Sequence, residues 1–176
     1  MSHRYPRLPP FFYLHDNRID AKERCIFVGT SFSLIIKIDM DTSEKGHLSV
    51  QERITPDVVR ELGEGDIFVF GSNLEGQHGG GAAWTAYRKF GAIMGQGVGM
   101  QGQSYAIPTM HGGPEAIAPY VDDFIAFAKA HPEMRFLVTR VGCGIAGFSD
   151  KEIAPLFSEA TDVENICLPR SFWLEL

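Results

Sequence analysis

Two glycine-rich connections between strands and helices constrain the fold of this chain more than any other feature. The apolar run DIFVF, residues 66–70, is followed by GSNLEGQHGGG, 71–81, and then by the helix-compatible AAWTAYRKF. The run RFLVTRV, 135–141, is followed in the same way by GCGIAGFSD, 142–150. Glycine loses more backbone entropy on folding than other residues, so such runs predict a sharp turn or a close approach of the main chain to another group.

The remaining segments alternate between strand and helix patterns. SYAIP, 104–108, and NICLP, 165–169, predict strands, and PYVDDFIAFAKAH, 119–131, predicts an amphipathic helix with Tyr120, Phe124, Phe127 and Ala128 on one face. We predict a further helix over TPDVVREL, 55–62, with Thr55 as its N-cap and Pro56 as its first residue.

Ser149 and Glu152 have the spacing of a capping box, which predicts a helix that begins there and continues to about Ala160. Short apolar strands that alternate with helices are typical of a mostly parallel sheet covered on both faces. We therefore predict an α/β fold, a three-layer α/β/α sandwich. Ligands of such sheets bind at the carboxyl ends of the strands, where both glycine loops are expected.

Composition narrows the class of protein. The chain has 176 residues, 44% of them hydrophobic, which suits one domain with a single core. Residues 1–53 are interpreted as an N-terminal extension, with a β-hairpin added to the sheet as one alternative, because CIFVG and SLIIKIDM, 25–29 and 33–40, read as strands. Residues 54–176 are expected to form the main domain.

Charge and cysteine content limit the partners. The net charge of -6 and the pI near 5.5 argue against non-specific binding to nucleic acid, because that binding depends on cationic side chains. Three cysteines without metal-ligand spacing favour a reducing compartment. No apolar run is long enough for a signal peptide or a membrane span, so we predict a cytoplasmic protein without membrane contact, cofactor or metal.

GVGMQG, 97–102, matches the dinucleotide-binding pattern in letters only. That pattern must follow a strand and open a helix, whereas this copy precedes the SYAIP strand. We interpret MGQGVGMQGQ, 94–103, as a flexible loop that either lies over a site or connects surface elements.

The order of these motifs resembles the macro domain, the α/β module that binds ADP-ribose. The likeness rests on VFGSN, HGGGAA, GQSYAIPT and TRVGCGIAGF and extends over about 65–168. The sequences of these segments are most similar to those of a group of bacterial and phage macro-like proteins of unsettled function. Many macro domains have a GDI aspartate that receives the adenine amino group. Here GDI runs straight into FVFGSN, so Asp66 is expected to be the first residue of the strand.

The resemblance implies roles for individual residues. Asn73 would bind the distal ribose, and Phe148 would pack against it. Backbone at the glycines would approach ribose and phosphate, and the second loop would enclose the diphosphate. The implied ligand-binding set is Gly71, Ser72, Asn73, Gly79, Gly80, Gly81, Gly142, Cys143, Gly144, Ile145, Ala146, Gly147 and Phe148. The implied partner is ADP-ribose or an ADP-ribosylated target.

Three functions remain open from the sequence. The chain is a binding module, or an ADP-ribosyl hydrolase with Asn73, Glu75 and His78 as catalytic candidates, or an accessory protein that kept the fold without the ligand. Glu75 and Asp150 are the carboxylates nearest the loops, and either has the chemistry of a general base. A further alternative is a thiol hydrolase in which helix-terminal donors lower the pKa of Cys143 and His78 is its partner.

Overall fold

The computed structural model describes residues 50–176, and the two strand-like runs predicted within 1–49 lie outside the described residues. Six strands form one sheet: β1 (Ile54–Thr55), β2 (Asp66–Ser72), β3 (Gly99–Gln101), β4 (Ser104–Pro108), β5 (Arg135–Val138) and β6 (Ile166–Pro169). The helices are α1 (Gly81–Lys89), α2 (Pro114–Ala130), α3 (Asp150–Ile153) and α4 (Arg170–Trp173), with 3-10 helices at Val50–Arg53 and Ala154–Asp162.

The sheet is mostly parallel, as predicted. Its strand order is β1-β6-β5-β2-β4-β3, and every pairing is parallel except that of β3 with β4. The central strand β2 pairs with β4 on one side and with β5 on the other. The carboxyl ends of β2 and β5 therefore lie side by side, and both glycine loops leave the sheet there.

Side chains of β2 alternate between two hydrophobic clusters, as the period of a strand requires. Phe68 and Phe70 pack with Ala83, Ala86 and Phe90 of the α1 segment. Ile67 and Val69 belong to the larger cluster, which includes the buried residues of α2 and of the second 3-10 helix. Both faces of the central strand are thus buried, which explains why its sequence is a continuous apolar run.

The prediction of a helix over TPDVVREL is wrong. Thr55 ends β1, pairs with Pro169 of β6, and donates its hydroxyl to the carbonyl of Cys167 at 2.9 Å. Residues 56–62 contain no helix. Thr55 before Pro56 favours the extended region, which suits an N-cap and the end of a strand equally, and here the pairing with β6 takes up Thr55 as a strand residue.

The helix predicted from Ser149 to about Ala160 is correct at its start and wrong in its type beyond Ile153. The Glu152 carboxylate accepts hydrogen bonds from the Ser149 backbone N–H at 2.8 Å and from its hydroxyl at 2.7 Å. After Ile153 the chain continues as a 3-10 helix. Pro155 has no N–H to donate to the preceding turn, so an α-helix is interrupted at this point.

The segment 94–103 is not a loop throughout, because Gly99–Gln101 form the edge strand β3. The judgement that GVGMQG is no dinucleotide motif agrees with the structure, since the segment opens no helix.

Residues just before β1 are anchored to the sheet domain through Arg53. Its guanidinium is buried and donates to the carbonyls of Ile166, Thr161, Ala160 and Val163 at 2.8–3.1 Å. These carbonyls include those of Ala160 and Thr161 at the end of the second 3-10 helix, where no following helical N–H donors reach the last carbonyl oxygens.

Candidate functional site

The two glycine loops meet at the carboxyl edge of the sheet. The first loop runs from 73 to 80 between β2 and α1, and the second runs from 139 to 149 between β5 and α3. A Cβ placed on Gly80 would lie 3.2 Å from Cδ1 of Ile145. Beneath them, a Cβ on Gly71 would lie 3.3 Å from the Gly142 nitrogen, so the ends of both strands are equally close.

The glycines at the meeting point face open space. A Cβ at Gly79, Gly81, Gly144 or Gly147 would have no neighbour within 4 Å. This openness contrasts with Gly76, where a Cβ would overlap the backbone of Gln96. The first set leaves room for a ligand, whereas Gly76 is a packing requirement of the loop.

Main-chain donors in both loops are left without partners. Six backbone N–H groups donate to no acceptor within residues 50–176, and they belong to Gly79, Gly80, Gly81, Gly144, Ile145 and Ala146. Exposed N–H groups in succession, together with the N-terminus of a nine-residue helix such as α1, form a suitable environment for an anion. The second loop contributes its N–H groups only, since α3 has four residues.

Asn73 shapes the first loop through its side chain. Its Oδ1 accepts the Gln77 N–H at 2.8 Å, and its Nδ2 donates to the Gln77 carbonyl at 3.2 Å. Ser72, predicted in the ligand set, is buried and donates its hydroxyl to the carbonyl of Gly97. Its hydroxyl therefore serves the packing of the loop.

The second loop is closed by its own turns. The Cys143 N–H donates to Arg140, the Gly147 N–H to Gly144, and the Phe148 N–H to Gly142, at 3.0–3.1 Å. Phe148 packs against the larger core cluster, Ala146 is half-buried, and Ile145 is 74% exposed. Ile145 is thus the most accessible of these three side chains.

The Cys143 thiol is less acidic than a free cysteine, whereas a catalytic nucleophile is expected to be more acidic. Burial raises the pKa of its thiol to about 11, and the neighbouring Asp150 carboxylate acts in the same direction. The expected lowering of this pKa by helix-terminal donors is wrong, because desolvation and a nearby negative charge disfavour the thiolate.

The other catalytic candidates differ in access. Glu75 is exposed, and its carboxylate has no hydrogen-bond partner within residues 50–176. His78 is fully buried, with Nε2 3.1 Å from the Ile93 carbonyl and its ring edge-on to Phe70. The structure brings Asn73 and Glu75 to the loop surface and leaves the His78 imidazole in the interior.

Asp150 is already engaged. It accepts two hydrogen bonds from Arg140, at 3.0 and 2.6 Å, and one from the Ser171 hydroxyl at 3.1 Å. The Arg140 hydrogen bond holds the pKa of Asp150 below its ordinary value. A carboxylate so paired is a weak base, which leaves Glu75 as the accessible one.

Asp66 begins β2, as expected, and lies at the amino end of that strand. It accepts hydrogen bonds from Arg135 at 2.8 and 3.1 Å and from the Gly63 N–H at 2.9 Å. The opposite end of β2 carries the glycine loop, so Asp66 belongs to a structural ion pair.

A cavity of about 430 Å³ adjoins the loops. It lies where β1, β5 and β6 end, on the face of the sheet that also carries α1. The residues around it are Thr55, Pro56, Asp57, Val58, Val59, Phe68, Ala82, Thr85, Val138, Thr139, Arg140 and Pro169. Ala82 follows the first glycine loop in the chain, and Thr139 and Arg140 are the first residues of the second loop, so the cavity borders both.

The residues that line this cavity were not predicted from the sequence. Asp57 in particular is exposed, and its carboxylate accepts no hydrogen bond from residues 50–176. The erroneous helix concealed it, since an aspartate in a first helical turn needs no other explanation. The Thr55-Pro56 pair is equally compatible with an extended chain, which would have put Asp57 at the end of a strand.

Within residues 50–176, no three His, Cys, Asp or Glu side chains are grouped so as to hold a metal ion. The same part of the chain has no helix with the length and apolar character needed to cross a bilayer.

Comparison of the chain with protein-family models, with curated proteins and with solved structures gave no match.

Proposed function

We propose that this chain is a macro-like, three-layer α/β/α domain that binds ADP-ribose or a closely related nucleoside diphosphate. The observation that carries the proposal is the set of six unpartnered main-chain N–H groups on two touching glycine loops, beside a cavity of about 430 Å³. A diphosphate needs the first feature and a nucleoside needs the second.

The diphosphate is assigned to the gap between the loops. Gly79 and Gly81 on one side and Gly144 and Gly147 on the other leave space that side chains would fill. Backbone N–H donors suit phosphate oxygens and add no charge, which is consistent with a chain of net charge -6. Arg140, 56% exposed at its side chain, is the nearby cation.

The base is assigned to the cavity. Val58 is 66% exposed at its wall, and Phe68, Val59 and Pro169 supply further apolar surface for a flat ring. The exposed Asp57 carboxylate, which interacts electrostatically with Arg140, provides an acceptor for an exocyclic amino group such as that of adenine. Asp57 thereby takes the role that the GDI motif would have given to Asp66.

The distal ribose is assigned to Asn73 and Phe148, as the macro-domain resemblance implies. Because both polar atoms of the Asn73 amide already bond to Gln77, ligand contact would use the remaining lone pair of Oδ1 and the second hydrogen of Nδ2.

A hydrolytic activity at the same site is the second candidate, and the exposed, unpartnered Glu75 favours it. In this reaction a water oxygen bonds to the anomeric carbon while the bond to the attached group breaks. Glu75 accepts the proton of the water, and the leaving group keeps the bonding electrons and is protonated by solvent. The Cys143–His78 thiol hydrolase is not favoured, because the thiol is neutral and the imidazole is buried.

Calorimetric titration of the full chain with ADP-ribose, with AMP and NAD as comparisons, tests the proposal. We expect saturable ADP-ribose binding that is lost in Gly80→Glu, which adds a carboxylate where the loops meet. For testing the role of Asn73 in binding, Asn73→Asp is preferable to Asn73→Ala, because the aspartate keeps the acceptor for the Gln77 N–H and so preserves the loop. Absence of heat and of thermal shift with all three nucleotides would contradict the proposal and favour an accessory protein.

Hydrolysis is tested separately by incubating the chain with ADP-ribosylated protein and measuring released ADP-ribose. Turnover that disappears in Glu75→Gln, with ADP-ribose affinity retained, would support the enzyme. Binding without any product would define a binding module.

A further inference from the structure

The segment Ile93–Val98, here named the brace, lies directly against the first glycine loop. The Gly95 N–H donates to the Gly76 carbonyl at 2.9 Å, and the Gly97 carbonyl accepts the Ser72 hydroxyl. A Cβ on Gly97 would overlap the Asn73 carbonyl oxygen, so the two main chains are in direct contact. The brace therefore fixes the position of the backbone at Asn73.

The brace is itself held by Gln101 of β3. The Gln101 side chain is 3% exposed, its Oε1 accepts the Ile93 N–H at 2.6 Å, and its Nε2 donates to the Gln96 carbonyl at 3.1 Å. One buried amide thus ties the start and the middle of the brace, at Ile93 and Gln96, to the edge strand. Removing it would take the partner from two part-buried backbone groups and so weaken the attachment of the brace.

We propose that Gln101 is a positioning residue of the nucleotide site, acting on Asn73 through the brace. The inference rests on the proposed function for its ligand. It gives a role to the GVGMQG segment, whose glycine at position 97 permits the contact and whose Gln101 maintains it. The literal dinucleotide motif is a support for the first loop and touches no ligand.

The effect of Gln101 is expected to be confined to one part of the site. No residue between 93 and 101 lines the cavity, whereas the first loop borders the gap assigned to the diphosphate and distal ribose. Loss of the brace should weaken a ligand whose distal ribose reaches Asn73, such as ADP-ribose, and largely spare AMP, which lacks that ribose. This selectivity distinguishes positioning from general loss of stability.

The test uses the near-isosteric variant Gln101→Met in the full chain. The matched control is Gln103→Met, since Gln103 lies on the same hairpin and is exposed, and its side chain hydrogen-bonds only the Gly63 carbonyl among residues 50–176, at 3.4 Å. We expect Gln101→Met to weaken ADP-ribose binding about tenfold while AMP binding stays within about twofold of the unaltered chain. Gln103→Met should leave both affinities unchanged.

A measurement without ligand accompanies the titration. Hydrogen exchange at the Gly76 and Gln77 amides, which are bonded to Asn73, should accelerate in Gln101→Met, with no change at Gly147 and Phe148 of the second loop. If Gln101→Met lacks a cooperative thermal transition, Ser72→Ala, which removes the hydroxyl bonded to the brace, carries the same test.

The outcomes separate the two proposals. Unchanged exchange at the first loop, or equal loss of ADP-ribose and AMP affinity, would overturn the positioning role. Accelerated exchange in a chain that never binds either nucleotide would instead overturn the proposed function, and with it the assignment of Gln101 to a nucleotide site.

Discussion

Arg140 and Asp150 form a two-point ion pair, with Nε–Oδ1 at 3.0 Å and Nη2–Oδ2 at 2.6 Å. Arg140 lines the cavity and Asp150 begins α3, so the pair spans the second glycine loop and joins the two parts of the proposed site. The Ser171 hydroxyl extends the same contact to α4.

The Arg140–Asp150 ion pair should make a contribution to the free energy of unfolding that disappears in acid. The pKa of Asp150 lies below its ordinary value because Arg140 hydrogen-bonds the carboxylate. The contribution of the pair to the free energy of unfolding is therefore fully present above the pKa of Asp150 in the unfolded chain, and it is lost as the pH falls through the pKa in the folded protein. Since Arg140 is half exposed, Asp150→Asn should lower the unfolding free energy by only about 0.5–1 kcal/mol at pH 7. Urea unfolding at pH 7 and below pH 3.8, the ordinary pKa, should show the difference shrinking. Glu159→Gln, in the exposed pair with Lys129, is the control, and a difference that grows on acidification would contradict the account.

Substitution of Asp57 should affect nucleotide binding, whereas substitution of Asp66 should affect stability. Asp57→Asn should weaken ADP-ribose and AMP binding alike, by about tenfold, because both ligands would place the base in the cavity. Asp66→Asn should leave affinity unchanged and lower stability by about 1–2 kcal/mol, because it removes charge from the Arg135 pair. Calorimetry and urea unfolding of both variants check this, and loss of binding in Asp66→Asn alone would place the base elsewhere.

Glycines of the loops should respond differently to alanine. Gly144→Ala adds a methyl group to open space at an ordinary φ, so stability should change little, whereas Gly144→Glu should abolish ADP-ribose binding by repelling the diphosphate. Gly76→Ala should lower stability by about 1–3 kcal/mol, since its φ is +65° and the methyl group would overlap Gln96. Thermal melts and titrations distinguish the three variants. Normal affinity in a folded Gly144→Glu would exclude this gap as the diphosphate site.

Cys143 should behave as a neutral thiol at physiological pH. With its pKa raised to about 11, alkylation by iodoacetamide should be slow at pH 7 and should accelerate as pH rises beyond 9. Mass spectrometry of the Cys143 peptide measures the rate, and an unstructured cysteine peptide is the reference. Alkylation faster than that reference at pH 7 would restore the thiol hydrolase alternative.

Arg53 should be a main contributor to stability, although it stands at the edge of the predicted domain. Arg53→Met leaves four carbonyl oxygens without their donor and should lower the unfolding free energy by about 3 kcal/mol or more. Arg60→Met is the control, because Arg60 is exposed and has no hydrogen bond or ion pair within residues 50–176. Equal urea midpoints for the two variants would contradict this role.

Strong local patterns made most of the fold predictable. DIFVF, SYAIP, RFLV and NICLP contain the strands β2, β4, β5 and β6, because strands buried on both faces of a parallel sheet are continuous apolar runs. The helices α1 and α2 are also present, although α2 begins at Pro114, five residues before its predicted start. The prediction of a helix over 55–62 is wrong because Thr55-Pro56 suits an N-cap and the end of a strand equally, and the local sequence does not distinguish them. Pairing of Thr55 with β6 is a contact over more than a hundred residues, which no local pattern encodes.

The candidate site was predictable only in part for the same reason. Glycine spacing located both loops, but the use of Ser72 and Gln101 in supporting them depends on the brace, which is distant in sequence from the first loop. Asp57 and Arg140 line one cavity because β1 and β5 flank β6 and end at the same edge of the folded sheet. His78 could be recognised as a chemical candidate, but its burial depends on Phe70 and Ile93.

The most direct test of the central claim is a map of backbone amide shifts on addition of ADP-ribose to the isotope-labelled full chain. The account predicts that the largest changes fall on Gly79, Gly80 and Gly81, on Gly144, Ile145 and Ala146, and on Asp57 and Val58 at the cavity. Saturating changes confined to residues outside these three segments, or no changes at millimolar ligand, would contradict it.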